Sequence, residues 1–210
     1  TLSKDLDRLV QKMGILRQAL AAKSVEFADV IKMGRTQLQD AVPMTLGQEF
    51  SAYEIMVEED ITRVTEAQAL IREINMGATA IGTGLNAHPD YARLVTEKLR
   101  QISGVEVVGS KNLVEATQDS GAYVQLSGVL KRVAVKLSKI CNDLRLMSSG
   151  PRTGLGEINL PPMAPGSSIM PGKVNPVIPE VVNQVAFEVI GNDVTVTMAS
   201  HAGQLELDRP

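Results

Sequence analysis

The sequence predicts an all-α fold, an elongated bundle of long helices. Aromatic residues make up only 3% of the 210 residues and Trp is absent. The core must therefore be built from Leu, Ile, Val, Met and Ala, which suits packed helices. Three stretches with helical spacing exceed the usual helix length of ~12 residues. No strand-like alternation recurs along the chain, and no internal repeat is present.

The elements follow in order. Leu6, Val10, Met13, Ile15, Leu16, Leu20 and Ala21 keep mostly helical intervals, so the chain opens with an amphipathic helix. A polar loop follows from Lys32 to Asp40, closed by Pro43. No proline intervenes from Thr45 to Met76, where charges alternate with Ile, Val, Leu and Ala at helical intervals. Thr45 can cap that second helix, with Gln48 three residues on completing a capping box. The stretch Gly77 to Asn86 breaks the pattern with three glycines. Pro89 to Ile102 allows a short helix that Gly104 can end. Asn112 to Met147 reads as another long helix, with Gly121 and Gly128 as places where a neighbouring helix can approach closely. Gly150 to Pro176 holds six prolines and five glycines and must be loop. Val177 to Ala202 is the last helix. An elongated bundle of this length leaves apolar surface uncovered, and symmetric self-association is the natural way to cover it.

Composition excludes several classes. Hydrophobic residues are 44% and charged residues 21%, ordinary for a soluble globular protein. A net charge of -3 with scattered Lys and Arg argues against nucleic acid as a partner. No apolar run reaches the ~20 residues that span a bilayer. The single cysteine, Cys141, cannot form an internal disulfide and reads as a small buried hydrophobe, which fits a cytoplasmic location. His88 and His201 lie in no metal-ligand spacing, and neither is given a catalytic role. No nucleotide-binding loop or metal cluster is visible, so neither cofactor nor metal is expected.

The chemistry concentrates in Gly166-Ser167-Ser168-Ile169-Met170-Pro171-Gly172-Lys173-Val174-Asn175-Pro176. This run sets two hydroxyls, an ammonium and a carboxamide in a loop of small residues, which suits an anionic ligand and a base. Each residue also has an ordinary reading. Serines are common in turns, most lysines are solvated, and Asn175 can cap the following helix. Glu180 can complement that helix N-terminus. A serine hydroxyl is a poor acid. Its use as a base would require exposed backbone N–H groups and a nearby ammonium to stabilise the alkoxide.

The Gly166–Pro176 run closely resembles the signature loop of the fumarase/aspartase superfamily. Those enzymes remove a proton from the carbon beside a carboxylate and expel a group from the next carbon, giving fumarate or a related product. Gly34-Arg35-Thr36-Gln37-Leu38-Gln39-Asp40 is similar to the superfamily's second active-site region, where a Thr and a following His or Gln meet substrate. Thr36 and Gln37 take those positions. Gln cannot relay a proton at neutral pH, whereas His can. Hydrating fumarate needs that relay more than expelling an already protonated ammonium group does. The segments Ala41 to Phe50 and Val182 to Asp193 also look like the aspartase branch. Gly77 to Asn86 is similar to a family segment near the site.

The resemblance implies the following roles. Ser167, the first Ser after the Gly, is the catalytic base. Ser168, Lys173, Asn175, Thr36 and Gln37 bind substrate, with Lys173 pairing a carboxylate. Met170 and Glu180 support the site, Glu180 by orienting a group from another subunit. The substrate would be L-aspartate, converted to fumarate and ammonia without an organic cofactor. Residues 1–210 would form the family's central helical-bundle domain, in a homotetramer whose sites are shared between subunits. The family's N-terminal and C-terminal domains would then be missing, and Asp208-Arg209-Pro210 departs from the family pattern. Thr36–Gln37 and Ser167 lie beyond opposite ends of long helices in sequence. A helix the length of Thr45 to Met76 separates its ends by over ~40 Å, so different copies are expected to supply the two groups. A fumarase, or another fumarate-releasing lyase of the same superfamily, is the alternative enzyme. A non-catalytic oligomerisation domain is the alternative for these residues alone.

Overall fold

In a computed structural model, residues 1–207 are described. The atypical Asp208-Arg209-Pro210 end lies outside the described residues. Helices dominate, as the sequence predicts: α1 (Leu2–Glu26), α2 (Leu46–Leu70), α3 (Tyr91–Ser103), α4 (Glu115–Gln118), α5 (Gly121–Met147) and α6 (Val177–His201). The strands are short: β1 (Ile31–Thr36), β2 (Gln39–Thr45), β3 (Glu73–Ile74), β4 (Val108–Gly109), β5 (Ala164–Pro165) and β6 (Val174–Asn175). They form three two-stranded sheets, β1–β2, β3–β4 and β5–β6. Among the described residues no helix is long and apolar enough to cross a membrane.

The buried positions show why the long helices form. Along α2, Leu46, Phe50, Tyr53, Val57, Asp60, Val64 and Ala67 are all buried, at alternating steps of three and four residues. That spacing keeps one stripe facing inward. Leu6, Met13 and Leu20 do the same for α1, and Leu126, Val133, Ile140 and Met147 for α5. The predicted capping box starts α2. Gln48 N–H donates to Thr45 Oγ1 at 3.1 Å, and Thr45 N–H donates to Gln48 Oε1 at 2.9 Å. Gly104 ends α3 in the left-handed region at φ 66°, its N–H bonded to Arg100 O, as its position after the helical pattern predicts.

The chain divides into two compact units, residues 1–10, 62–130 and 191–210 in one, and residues 11–61 and 131–190 in the other. In the first, the Gln68 amide donates to Ser3 O, Ser3 Oγ and Asp7 Oδ1, at 3.2, 3.1 and 2.8 Å. Ser127 donates to the buried Asp193 at 2.8 Å, tying α5 to α6. In the second, Phe27, Phe50 and Tyr53 meet edge to face with ring centroids 5.4 and 5.8 Å apart. The buried Asp60 pairs with Arg132 at 3.1 Å and Lys136 at 3.3 Å. Asn183 donates to Asn142 at 2.7 Å.

Four sequence expectations change. The polar loop after α1 is a β-hairpin. Its two-residue turn, Gln37-Leu38, lacks the Asn or Gly that marks such turns. Helix α2 ends at Leu70 rather than Met76, because Glu73–Ile74 pair in parallel with Val108–Gly109. The expected Asn112–Met147 helix is broken at Asp119, whose backbone is extended before Gly121 begins α5. Asp, Ser and Gly in succession favour such a break. No neighbouring helix approaches Gly128, where a Cβ would meet nothing within 4 Å, and a Cβ on Gly121 would first meet the Asp119 side chain. Cys141 is half-buried, and burial pushes its thiol pKa up although Arg145 opposes the shift.

Candidate functional site

The Gly166–Pro176 run is a turn closed at its neck. Strands β5 and β6 pair Ala164 with Asn175 and Pro165 with Val174. Gly166 N–H donates to Lys173 O at 2.7 Å, Met170 N–H to Ser167 O at 2.9 Å, and Lys173 N–H to Met170 O at 3.2 Å. The sequence fixes this shape. A Cβ on Gly166 would lie 2.8 Å from Lys173 Cβ, so only glycine allows the neck to close. Gly172 turns the chain at φ 80°, where residues with a Cβ are strained.

Ser167, Ser168, Met170 and Lys173 are all exposed on this turn. Asn175 is half-buried on β6, and Glu180 is exposed in the first turn of α6. Thr36 and Gln37 are exposed at the tip of the β1–β2 hairpin. Gln37 and Leu38 have φ of 50° and 61°, a conformation non-glycine residues occupy at some cost.

The hairpin joins α1 to α2, and the signature turn joins α5 to α6. Both fall in residues 11–61 and 131–190, one compact unit. Helix α2 leaves this unit, but α5 returns to it before the turn begins. Among the described residues, no hydrogen bond or ion pair joins the hairpin tip to residues 166–175.

Sequence reasoning missed the ion network at the base of the hairpin. Lys32 Nζ pairs with Glu49 and lies 3.2 Å from Glu157 Oε2 and 3.3 Å from Met147 Sδ. Arg35 Nη2 pairs with Glu157 Oε1 at 2.6 Å. Tyr53 is buried with its hydroxyl 2.9 Å from Glu49 and 3.0 Å from Asp143, and Asp143 also pairs with Lys139. Burial, then the charges of Glu49 and Asp143, raise the Tyr53 pKa far above its ordinary value, so the phenol stays protonated. Burial would raise the Glu157 pKa, but the bonds from Arg35 and Lys32 win and hold it below the usual carboxylate range. The signal for this network was a Lys, an Arg, two Glu, a Tyr and an Asp scattered over about 125 positions, which no local pattern connects.

The register explains how Lys32 and Arg35 reach one carboxylate. Residues three apart on a regular strand point to opposite faces. Here the ladder passes from Met33↔Pro43 to Arg35↔Asp40, so Ala41 and Val42 together oppose Gly34. Such a bulge adds local twist. A Cβ on Gly34 would meet Val42 O at 2.9 Å, so the bulge requires glycine there. Among the described residues, no three His, Cys, Asp or Glu side chains converge as a metal site.

A lyase family model matches residues 1–191. The chain belongs to the lyase family. Relatives include the aspartate ammonia-lyase of Helicobacter pylori strain 26695, 66% identical over 203 residues. That match covers 97% of this chain and 43% of the relative. The aspartate ammonia-lyase of Escherichia coli K12 is 60% identical, covering 97% of this chain and 42% of the relative. A fumarate lyase:delta crystallin from Brucella melitensis, bound to cobalt, superposes with a TM-score of 0.93. It is 60% identical, covering 99% of this chain and 45% of the other. A class II fumarase from Schistosoma mansoni superposes at 0.85 and is 37% identical, covering 95% and 45%. The chain thus spans less than half the length of the lyases it matches.

Proposed function

We propose that these residues are the central helical domain of an aspartate ammonia-lyase, which converts L-aspartate to fumarate and ammonia. The similarity pattern carries the reading. Identity is 60–66% to relatives named for that activity and 37% to the fumarase. Gln37, where a fumarase resemblance calls for His, points the same way.

Ser167 removes a proton from the β-carbon of L-aspartate. The electron pair moves into the neighbouring β-carboxylate as an enediolate, then returns to form the double bond as ammonia leaves the α-carbon. Lys173 pairs with the carboxylate on which charge develops. Ser168 and Asn175 orient the substrate from the turn, and Thr36 and Gln37 from the hairpin. Among the described residues, the N–H groups of Ser168 and Ile169 make no hydrogen bond within the chain. They are therefore available to an anion on or beside Ser167. Donors of this kind act where charge develops in the transition state. Met170 N–H holds Ser167 O and so shapes the turn, while Glu180 orients a group from another copy.

The same reading makes the protein a cytoplasmic homotetramer assembled through α6. Val185, Phe187 and Val194 on that helix are 59%, 63% and 61% exposed, and Ile178, Val181 and Met198 are exposed with them. A helix apolar on most sides belongs inside a larger core. The test is to supply the complete protein carrying this sequence with aspartate or malate and follow fumarate absorbance. Fumarate from aspartate alone supports the reading, and faster turnover of malate assigns a fumarase instead. A monomer by light scattering at micromolar concentration counts against the assembly.

A further inference from the structure

Glu157 belongs to no helix or strand, yet it joins two parts of the second unit. Its main chain is held by α5: Glu157 N–H donates to Met147 O at 2.8 Å. The preceding residues close back on the same helix end, with Gly156 N–H on Ser149 O and Leu155 N–H on Ser149 Oγ, both at 3.0 Å. Its side chain is held by β1, one oxygen by Arg35 at 2.6 Å and the other by Lys32 at 3.2 Å. Lys32 is 9% exposed and Glu157 18%, so solvent screens the pair little. The bulge opposite Gly34 accompanies this double grip. Seven residues beyond Glu157, β5 begins and leads into the turn that carries Ser167.

We propose that Glu157 is a positioning residue that fixes the β1–β2 hairpin, and with it Thr36 and Gln37, to the strap leading from α5 into the signature turn. Removing its charge leaves Lys32 and Arg35 without their shared partner, and a partly buried cation that loses its partner destabilises its surroundings. Glu49 still pairs with Lys32. Arg35 keeps the longer contact to Asp40 at 4.0 Å, so the loss falls mainly on the Arg35 end of the hairpin, next to Thr36. The consequence for turnover rests on the ammonia-lyase reading, whereas the consequence for the hairpin does not.

The experiment compares wild type, Glu157→Gln and Glu157→Asp in the complete protein carrying this sequence. Hydrogen exchange by mass spectrometry reads the hairpin, and fumarate formation reads turnover. In Glu157→Gln the amides of residues 31–45 exchange about tenfold faster, while those of α3 and α6 are unchanged. Its kcat falls at least about tenfold, in line with the cost of a misplaced substrate contact. Glu157→Asp keeps the charge with a shorter reach and lies between the two in both measurements. If Glu157→Gln does not fold, the Asp variant alone decides: hairpin exchange faster than wild type supports the proposal. Unchanged hairpin exchange in a folded variant overturns it. So does acceleration that includes α3 and α6, or faster hairpin exchange with kcat and KM unchanged. A wild-type protein that gives no fumarate from aspartate refutes the ammonia-lyase reading, and the exchange data still decide the role of Glu157.

Discussion

Gly166→Ala tests whether the closed neck of the signature turn sets the site. The new Cβ would lie 2.8 Å from Lys173 Cβ, 3.1 Å from its Cδ and 3.2 Å from its Cγ. Carbon atoms pack at about 3.5–4.0 Å, so the neck must open by about 1 Å. The Gly166 N–H···O Lys173 bond, 2.7 Å long, would then stretch past the ~3.2 Å limit of a good hydrogen bond. Its loss costs about 1 kcal/mol. Overpacking costs about 1–3 kcal/mol in a core, and an exposed turn that can give falls at the low end. The effect on stability is small, but the effect on function is not. A 1 Å displacement of Lys173 relative to Ser167 is expected to cost about 10²-fold in kcat/KM. The assay is fumarate absorbance with a parallel thermal melt of the complete protein. A kcat/KM within twofold of wild type would refute the argument that neck closure aligns Lys173 with Ser167.

Other outcomes follow from particular contacts. Tyr53→Phe leaves Glu49 and Asp143 without their shared donor, and chemical denaturation should show a loss of about 1–3 kcal/mol. The lowered Glu157 pKa makes its contribution full above the ordinary carboxylate value of about 4.3 and lost as pH falls through the folded value. Melts between pH 6 and 3 should therefore show Glu157→Gln losing less stability than wild type across that window, and equal losses would contradict the sign. Leu38→Gly removes a side chain from a left-handed position at φ 61° and should raise the hairpin's stability by roughly 1 kcal/mol, read as slower hydrogen exchange over residues 31–45. The 210-residue chain alone should give little or no fumarate from aspartate. It spans 43% of the relative's length, and turnover comparable to the complete protein would show that these residues suffice.

The helices were legible because their buried residues recur at three- and four-residue steps over whole helices. The Thr45–Gln48 box and Gly104 were legible because caps are local. The signature turn was legible as a proline- and glycine-rich loop. The β1–β2 hairpin was not, because Gln37-Leu38 reaches left-handed backbone without glycine and the bulge at Gly34 breaks the alternation. The end of α2 was hidden because its pairing partner, Val108–Gly109, lies over thirty residues away. The Glu157 network was hidden for the same reason: Lys32, Arg35, Glu49, Tyr53, Asp143 and Glu157 meet only after the chain has folded.

The most direct test of the whole account is Ser167→Ala in the complete protein, assayed for fumarate from L-aspartate beside a thermal melt. Ser167 is exposed, so stability should change by no more than roughly 0.5 kcal/mol. Loss of the base should lower kcat by at least about 10²-fold. An intact melt with turnover lost is the predicted result, and near-normal kcat in the variant would contradict the assignment of Ser167 as the base.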